Sequence, residues 1–221
     1  MMSDGGQLHE ALLWHQQRYP RMQIQDLVKL VYQNEFAGGH MIADVESNLQ
    51  RLRAECQALA GNSDGVKPGE IFVGIGNGLC RLQLAAIEGT GVRLTTVNQF
   101  FVNTARSRRG DLSSLEHKLE VLRACCQAGT LPHSPADLDA FLLTYRAQGY
   151  PAISHSAVYR DHYKPAYRVV DSVYRDHFAL FCRIDALLES QGGVRVAIDN
   201  QSGSGKSALS ALLSRVYDRN L

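Results

Sequence analysis

The sequence lacks long hydrophobic runs and lacks a clear excess of either charge. No apolar stretch approaches the roughly 20 residues of a membrane-spanning helix, and residues 1–6 lack the charged and apolar regions of a signal peptide. Lys and Arg total 23 against 22 for Asp and Glu, so no net field attracts nucleic acid or an acidic membrane. We therefore expect a cytoplasmic protein that binds neither, and these numbers leave a homo-oligomer open.

Cysteine is also scarce. The five cysteines are odd in number, contain no Cys-x-x-Cys pair and lie mostly in apolar helical patterns, so we expect reduced, buried thiols. The adjacent Cys125 and Cys126 would point about 100° apart on a helix, which argues against a zinc or redox pair. Repeats of fixed period and low-complexity tracts are missing too, which excludes a solenoid or a linker-rich array.

What is present is an ordinary globular composition. The 221 residues are 45% apolar and 20% charged, enough for one sizeable core or one core with a small appendage. Apolar residues recur at three- and four-residue steps through most of the first 190 positions, which predicts a helical domain. The predicted helices are 8–19, 24–36, 41–60, 95–107, 113–127, 135–148 and 165–190. Ser113 with Glu116 is spaced as a capping box, and Ser134 before Pro135 as an N-cap with a first-turn proline.

Two segments of this domain favour strands. Residues 70–75 and 79–85 flank Gly76-Asn77-Gly78, a strong turn signal, so we predict a small β-hairpin there. A helix over 79–87 is the alternative. Residues 61–69 are predicted to form a loop.

The last thirty residues carry the motif richest in chemistry. A β-branched run at 194–198 predicts a strand, and leucines at helical spacing predict a helix over 207–216. Between them lies a Walker A pattern, with Asn200 in place of its first glycine. Its residues are Asn200, Gln201, Ser202, Gly203, Ser204, Gly205, Lys206 and Ser207. A glycine–serine linker that happens to contain Gly-Lys-Ser is the alternative.

The residue types suit a polyphosphate. Several backbone N–H groups must converge on the anion, and Gly203 and Gly205 let the main chain come close enough. Lys206 would contact the outer phosphates as the catalytic cation, and the Ser207 hydroxyl would bind Mg²⁺. Asp199 is a weaker metal candidate, because an ordinary turn aspartate fits the same position.

At residues 196–199 and 202–207 the sequence resembles the start of P-loop kinases of the uridine kinase and phosphoribulokinase group. The resemblance covers residues 191–221 only. It implies an ATP-dependent kinase that uses Mg²⁺ and transfers the γ-phosphoryl group to a hydroxyl of a small molecule, such as a nucleoside or sugar phosphate. Because this sequence stops directly after the loop helix, we expect an enzyme only if the fold is completed beyond Leu221, as in a fragment of a longer protein.

The sequence as a whole thus predicts a mainly α, α+β protein. Residues 1–190 would form a helical domain with a small hairpin, and residues 191–221 the first strand, phosphate loop and helix of an incomplete α/β nucleotide-binding fold. Its partners would be a nucleotide and a small-molecule acceptor. The alternative function is a non-enzymatic helical binding or regulatory module with a vestigial loop.

A second candidate site is a cluster of hydrogen-bond donors suited to an anionic ligand. Its residues are His155, Tyr159, Arg160, His162 and Arg168. His155 and His162 could share a helix face, and the alternative is a solvated connection with tyrosines packed on the core.

Two weaker constellations precede that cluster. Glu35 and His40 could present a carboxylate and an imidazole together, although a helix C-cap with an incidental histidine explains them as well. Arg106, Arg108 and Arg109 follow Phe100 and Phe101, a pattern found in nucleic-acid patches and, more often, in amphipathic core helices.

Overall fold

A computed structural model describes residues 4–38, 44–59, 70–199 and 205–217. In this part of the chain the protein is mainly helical, as predicted, with ten α-helices and three short strands. The helices are α1 (Asp4–Arg18), α2 (Ile24–Phe36), α3 (Val45–Leu59), α4 (Leu94–Ser107), α5 (Leu112–Gln127), α6 (Pro135–Ala147), α7 (Ala157–Tyr163), α8 (Ser172–Asp176), α9 (Phe178–Gln191) and α10 (Lys206–Tyr217). The strands are β1 (Phe72–Gly76), β2 (Leu79–Gln83) and β3 (Tyr167–Asp171).

The strands form one antiparallel sheet in the order β1-β2-β3. The predicted hairpin is confirmed: β1 and β2 join through Gly76, Asn77 and Gly78, whose φ angles of 81°, 53° and 65° suit glycine and asparagine. Two hydrogen bonds hold the turn against α2. The Asn34 side chain donates to the Ile75 carbonyl, and the Asn77 side chain donates to the Asn34 carbonyl. The hairpin therefore has a defined place against the helices.

The sheet is covered by helices on both faces. Successive side chains of a strand point to opposite faces, so Leu79 of β2 joins the cluster formed mainly by α1, α2, α5 and α6, whereas Cys80 joins the one formed by α4, α9 and α10. As the central strand, β2 is buried on both sides from Leu79 to Leu82. This double burial sets the environment of every side chain on β2.

Several predicted helix limits are confirmed by the structure. Helix α2 spans the predicted residues, and Pro135 opens α6 with Ser134 as N-cap residue, although the Ser134 side chain makes no capping hydrogen bond. The capping box at Ser113 is wrong. The N-cap of α5 is Asp111, whose carboxylate accepts a hydrogen bond from the Ser114 amide. Glu116 does not cap the helix, since its carboxylate binds Arg146 and Tyr150.

The continuous helix predicted over 165–190 is also wrong. Its first part forms β3, and the remainder is split into α8 and α9 at His177. Val169 and Val170 are β-branched residues that fit a pleated surface, and β2 offers them a free edge. Asp171 ends β3, since its carboxylate accepts from the Val173 amide and caps α8.

The strand predicted over 194–198 is wrong as well, because the described residues include no strand there. Val194, Val196 and Ile198 are half-buried and alternate with exposed residues, so the apolar side of the segment still packs on the α9 and α10 cluster. A strand needs a hydrogen-bonded neighbour. The edge strand β3 packs against α4, and residues 194–198 do not pair with it.

The end of the described chain belongs to the same core. Leu212, Leu213 and Val216 of α10 are buried among the residues of α4 and α9. The described part of residues 191–221 therefore packs on the helical domain, and a nucleotide-binding sheet is not seen in it.

The cysteines agree with the sequence prediction in being unpaired. Cys125 and Cys126 are buried, and burial raises the pKa of Cys80 to about 12. In the described part of the chain no group of three or more His, Cys, Asp or Glu side chains is placed to hold a metal ion. None of the described helices has both the length and the hydropathy needed to cross a membrane.

Candidate functional site

Three residues of the predicted phosphate loop are described, and residues 200–204 lie outside the described part. Gly205 has a φ of 83°, a backbone conformation that favours glycine, and its carbonyl accepts the first bond of α10, from the Leu209 amide at 3.0 Å. Helix α10 therefore begins at Lys206. The amides of Lys206 and Ser207 belong to the first turn, where N–H groups lack partners within the helix.

A cavity of about 490 Å³ lies beside this helix start. Residues 196–199 form one wall, Gly205 and Lys206 with the first turns of α10 form another, and Val173, His177 and Leu180 complete it. We call this space the loop cavity. Its wall combines aliphatic side chains with the cation of Lys206 and the carboxylate of Asp199.

The two predicted metal ligands differ in their position relative to the loop cavity. Asp199 lines the loop cavity, whereas Ser207 is exposed and is not part of its wall. Asp199 and Lys206 both line the loop cavity.

The second predicted cluster is divided by the fold. His155 and Tyr159 are buried with their rings stacked 4.2 Å apart, and Arg160 donates to the His155 carbonyl. His162 is exposed on α7, and His155 precedes that helix, so the two histidines share no helix face. Arg168 lies on the other face of the sheet and makes a bidentate ion pair with Glu55. Its Nη1 and Nη2 donate to the two carboxylate oxygens at 2.7 and 2.8 Å.

His155 belongs to a buried chain of hydrogen bonds that the sequence did not reveal. Its Nδ1 lies 2.8 Å from the Asp26 carboxylate, and its Nε2 lies 2.6 Å from the Tyr167 hydroxyl. The Asp26 carboxylate also accepts from the Ser156 amide and hydroxyl and from the Gln23 amide. These donors connect α2 to the segment that leads into α7.

Burial determines the charges in this chain. It lowers the pKa of His155 from 6.5 to about 4, so the imidazole is neutral at pH 7. Burial opposes the ionisation of Asp26, but hydrogen bonds from His155, Ser156 and Gln23 keep the pKa of its carboxyl below the usual value. The Asp26 carboxylate therefore accepts a hydrogen bond from Nδ1–H of His155, and Nε2 accepts one from the Tyr167 hydroxyl, whose pKa is raised by burial.

Arg81 lies next to this chain and is 1% exposed. Its Nε and Nη2 donate to the Gln33 side-chain oxygen at 3.2 and 2.8 Å, and its guanidinium lies 4.5 Å from the centre of the Tyr167 ring. No described carboxylate makes an ion pair with it. The signal in the sequence was a charged residue between the apolar Cys80 and Leu82 in a predicted strand.

His15 is a second buried group near Arg81. Its Nε2 lies 3.3 Å from the Gly74 carbonyl, while Nδ1 has no hydrogen-bond partner among the described residues. Burial, together with the positive charge of Arg81, lowers its pKa well below the usual range. Arg81 thus contacts the Gln33 amide and the Tyr167 ring and lies near the neutral His15.

The remaining sequence candidates are placed as follows. Glu35 is buried and faces α5, where its carboxylate binds Lys118 Nζ at 2.6 Å, while His40 lies outside the described residues. Phe100 and Phe101 are core residues, as the alternative interpretation held. Arg106 and Arg109 are exposed, and Arg108 lies 3.3 Å from Asp171.

A scan against protein-family models, a search of curated proteins and a search of solved structures each find no match to this chain. The functional argument therefore rests on its own residues.

Proposed function

We propose that the protein binds ATP and Mg²⁺ at the loop preceding α10. In this proposal it is a P-loop kinase-like phosphotransferase that acts on a hydroxyl of a small molecule, such as a nucleoside or a sugar phosphate. The observation that carries the proposal is that α10 begins at Lys206, directly after Gly205 with its φ of 83°, within a Walker A sequence pattern.

The charges and dimensions of this region support the proposal. The amides of the first turn and the positive end of the α10 dipole favour an anion next to Lys206. The ammonium group would contact the outer phosphates, and the Ser207 hydroxyl is the group that would hold Mg²⁺. The loop cavity, at about 490 Å³, is in the size range of small-molecule sites.

The proposal is tested by calorimetric titration of the protein with Mg-ATP. Lys206→Ala should weaken binding about 10- to 100-fold, because a charge-assisted hydrogen bond contributes roughly 1.5 to 3 kcal/mol. Lys164→Asn is the matched control: it removes one exposed lysine at a φ of 43°, a backbone conformation that asparagine tolerates. Equal loss in both variants would contradict the proposed site.

A second candidate function is a non-enzymatic helical binding or regulatory module. It is favoured by the packing of α10, which buries Leu212, Leu213 and Val216 on the helical domain, while residues 194–198 form no strand. The same titration separates the two functions. Unmeasurable Mg-ATP binding by the wild-type protein and by both variants would support the module.

A further inference from the structure

A polar cleft lies between the hairpin turn, the end of α4 and the start of α5. Its volume is about 450 Å³, and every residue of its wall is charged, polar or glycine. We define the polar cleft by Glu35, Asn77, Arg108, Arg109, Ser114 and Lys118. Small-molecule sites are usually more apolar, so this lining suits a ligand that is itself strongly polar.

The base of the cleft is built on Glu35. Its Oε1 accepts from the Asp111 amide at 2.9 Å, and its Oε2 accepts from the Ser114 hydroxyl at 2.7 Å and from Lys118 Nζ at 2.6 Å. Burial opposes the ionisation of Glu35, but these donors together hold the pKa of its carboxyl below the usual value. Both carboxylate oxygens are therefore occupied, and Glu35 is not available to bind a cation.

The two arginines of the cleft, by contrast, have N–H donors that make no contact with described carboxylates. Arg109 is exposed, and no described residue makes an ion pair with it. Arg108 makes one contact of 3.3 Å, from Nη2 to Asp171, which uses few of the five donors of a guanidinium. The nearby acid Asp111 does not compete, since its carboxylate caps the Ser114 amide.

The turn that holds these arginines depends on Gly110. A Cβ atom at this position would lie 2.5 Å from the Phe36 ring and 2.9 Å from Cγ of Glu35. Only glycine therefore lets the chain between α4 and α5 pack this closely against α2, which fixes Arg108 and Arg109 at the mouth of the cleft.

We propose that the polar cleft binds the phosphate group of a small phosphorylated molecule, with Arg108 and Arg109 as its main ligands. Guanidinium groups present paired donors that match phosphate oxygens. Lys118 is paired with Glu35, and Asp111 caps the start of α5, so the attraction of the cleft for phosphate rests on the two arginines. The cleft is separate from the loop cavity, so this inference does not depend on ATP binding.

The proposal is tested by ¹H–¹⁵N NMR titration of the whole chain with inorganic phosphate, at constant ionic strength maintained with chloride. Saturable shifts are expected for the Gly110 amide and for the Asn77 side-chain amide. Arg109→Ala should weaken this binding about tenfold or more, as expected for a lost charge-assisted contact. Arg109→Lys should recover part of it.

Two control variants locate the binding. Arg106→Ala removes an exposed arginine of α4 that does not line the cleft, and it should change the affinity less than about twofold, since screened surface charges contribute little. Lys206→Ala should leave the Gly110 shifts unchanged, even if it abolishes ATP binding. Thermal unfolding of each variant verifies that it is folded.

Three results would overturn the proposal. One is the lack of saturable shifts at Gly110 and Asn77, and another is an equal loss of affinity in Arg106→Ala and Arg109→Ala. The third is binding of succinate that depends on Arg109, without binding of phosphate. That result would show that the cleft recognises a carboxylate and not a phosphate group.

Discussion

Protonation of His155 should destabilise the fold. Between pH 6.5 and about 4 the unfolded chain binds a proton at this imidazole, but the folded chain does not. The free energy of unfolding should therefore fall as the pH is lowered from 7 to 4, by up to about 3 kcal/mol from this residue. Urea unfolding at pH 7 and pH 5 measures the change.

The matched variants for this prediction are His155→Gln and His162→Gln. The first should reduce the pH dependence, since it removes one group that is kept neutral by burial, and the buried His15 should maintain part of it. The second changes an exposed histidine and should leave the slope as it is. An unfolding free energy that is equal at pH 7 and pH 5 in the wild-type protein would contradict the neutral, buried His155.

Lys118 neutralises a buried carboxylate. The two side chains are each 6% exposed, so Lys118→Met leaves Glu35 charged and without its cation. We expect a loss of about 3 to 5 kcal/mol in the free energy of unfolding, measured by urea titration. The double variant Glu35→Gln, Lys118→Met should recover part of that loss, and a single-variant loss below about 1 kcal/mol would show that the pair is not buried in solution.

At the scale of elements, the packing of α10 bears on whether residues 191–221 form a separate domain. The sequence suggested a separate unit over 191–221, but Leu212 of α10 is 2% exposed in the cluster shared with α4 and α9. Leu212→Ala should therefore lower the free energy of global unfolding by about 2 to 5 kcal/mol. Arg215→Ala, on the exposed side of the same helix, should have little effect on it.

If residues 191–221 formed an independent unit, Leu212→Ala would leave the main unfolding transition unchanged. A separate transition, lost only in that variant, would then appear in thermal unfolding. This outcome would also weaken the case for a regulatory module whose core includes α10.

At the scale of the whole molecule, the sheet divides the core into two apolar layers. The loop cavity and the polar cleft are connected through the junction between β3 and α8, because Asp171 contacts Arg108 and Val173 lines the loop cavity. The junction between β3 and α8 therefore contacts a residue of one proposed site and contributes a wall residue to the other.

The sequence by itself determined the elements that depend on local signals. The apolar periodicity of α2, the glycine-rich hairpin turn and Pro135 at the start of α6 act within a few residues, and each has its predicted place. The Gly-Lys-Ser motif at a helix start is equally local, since it depends on the preference of Gly205 for positive φ.

Only the tertiary structure decided the features that depend on distant partners. Residues 167–171 form a strand because β2 lies beside them, whereas 194–198 pack their apolar side chains on α9 and α10 without joining the described sheet. The imidazole of His155 is neutral because burial lowers its pKa more than the Asp26 carboxylate raises it, and the Glu35 carboxylate is occupied by donors from α5. The His155–Asp26 and Lys118–Glu35 hydrogen bonds join residues more than 70 positions apart in the sequence. The local pattern of side chains around either residue therefore does not predict them.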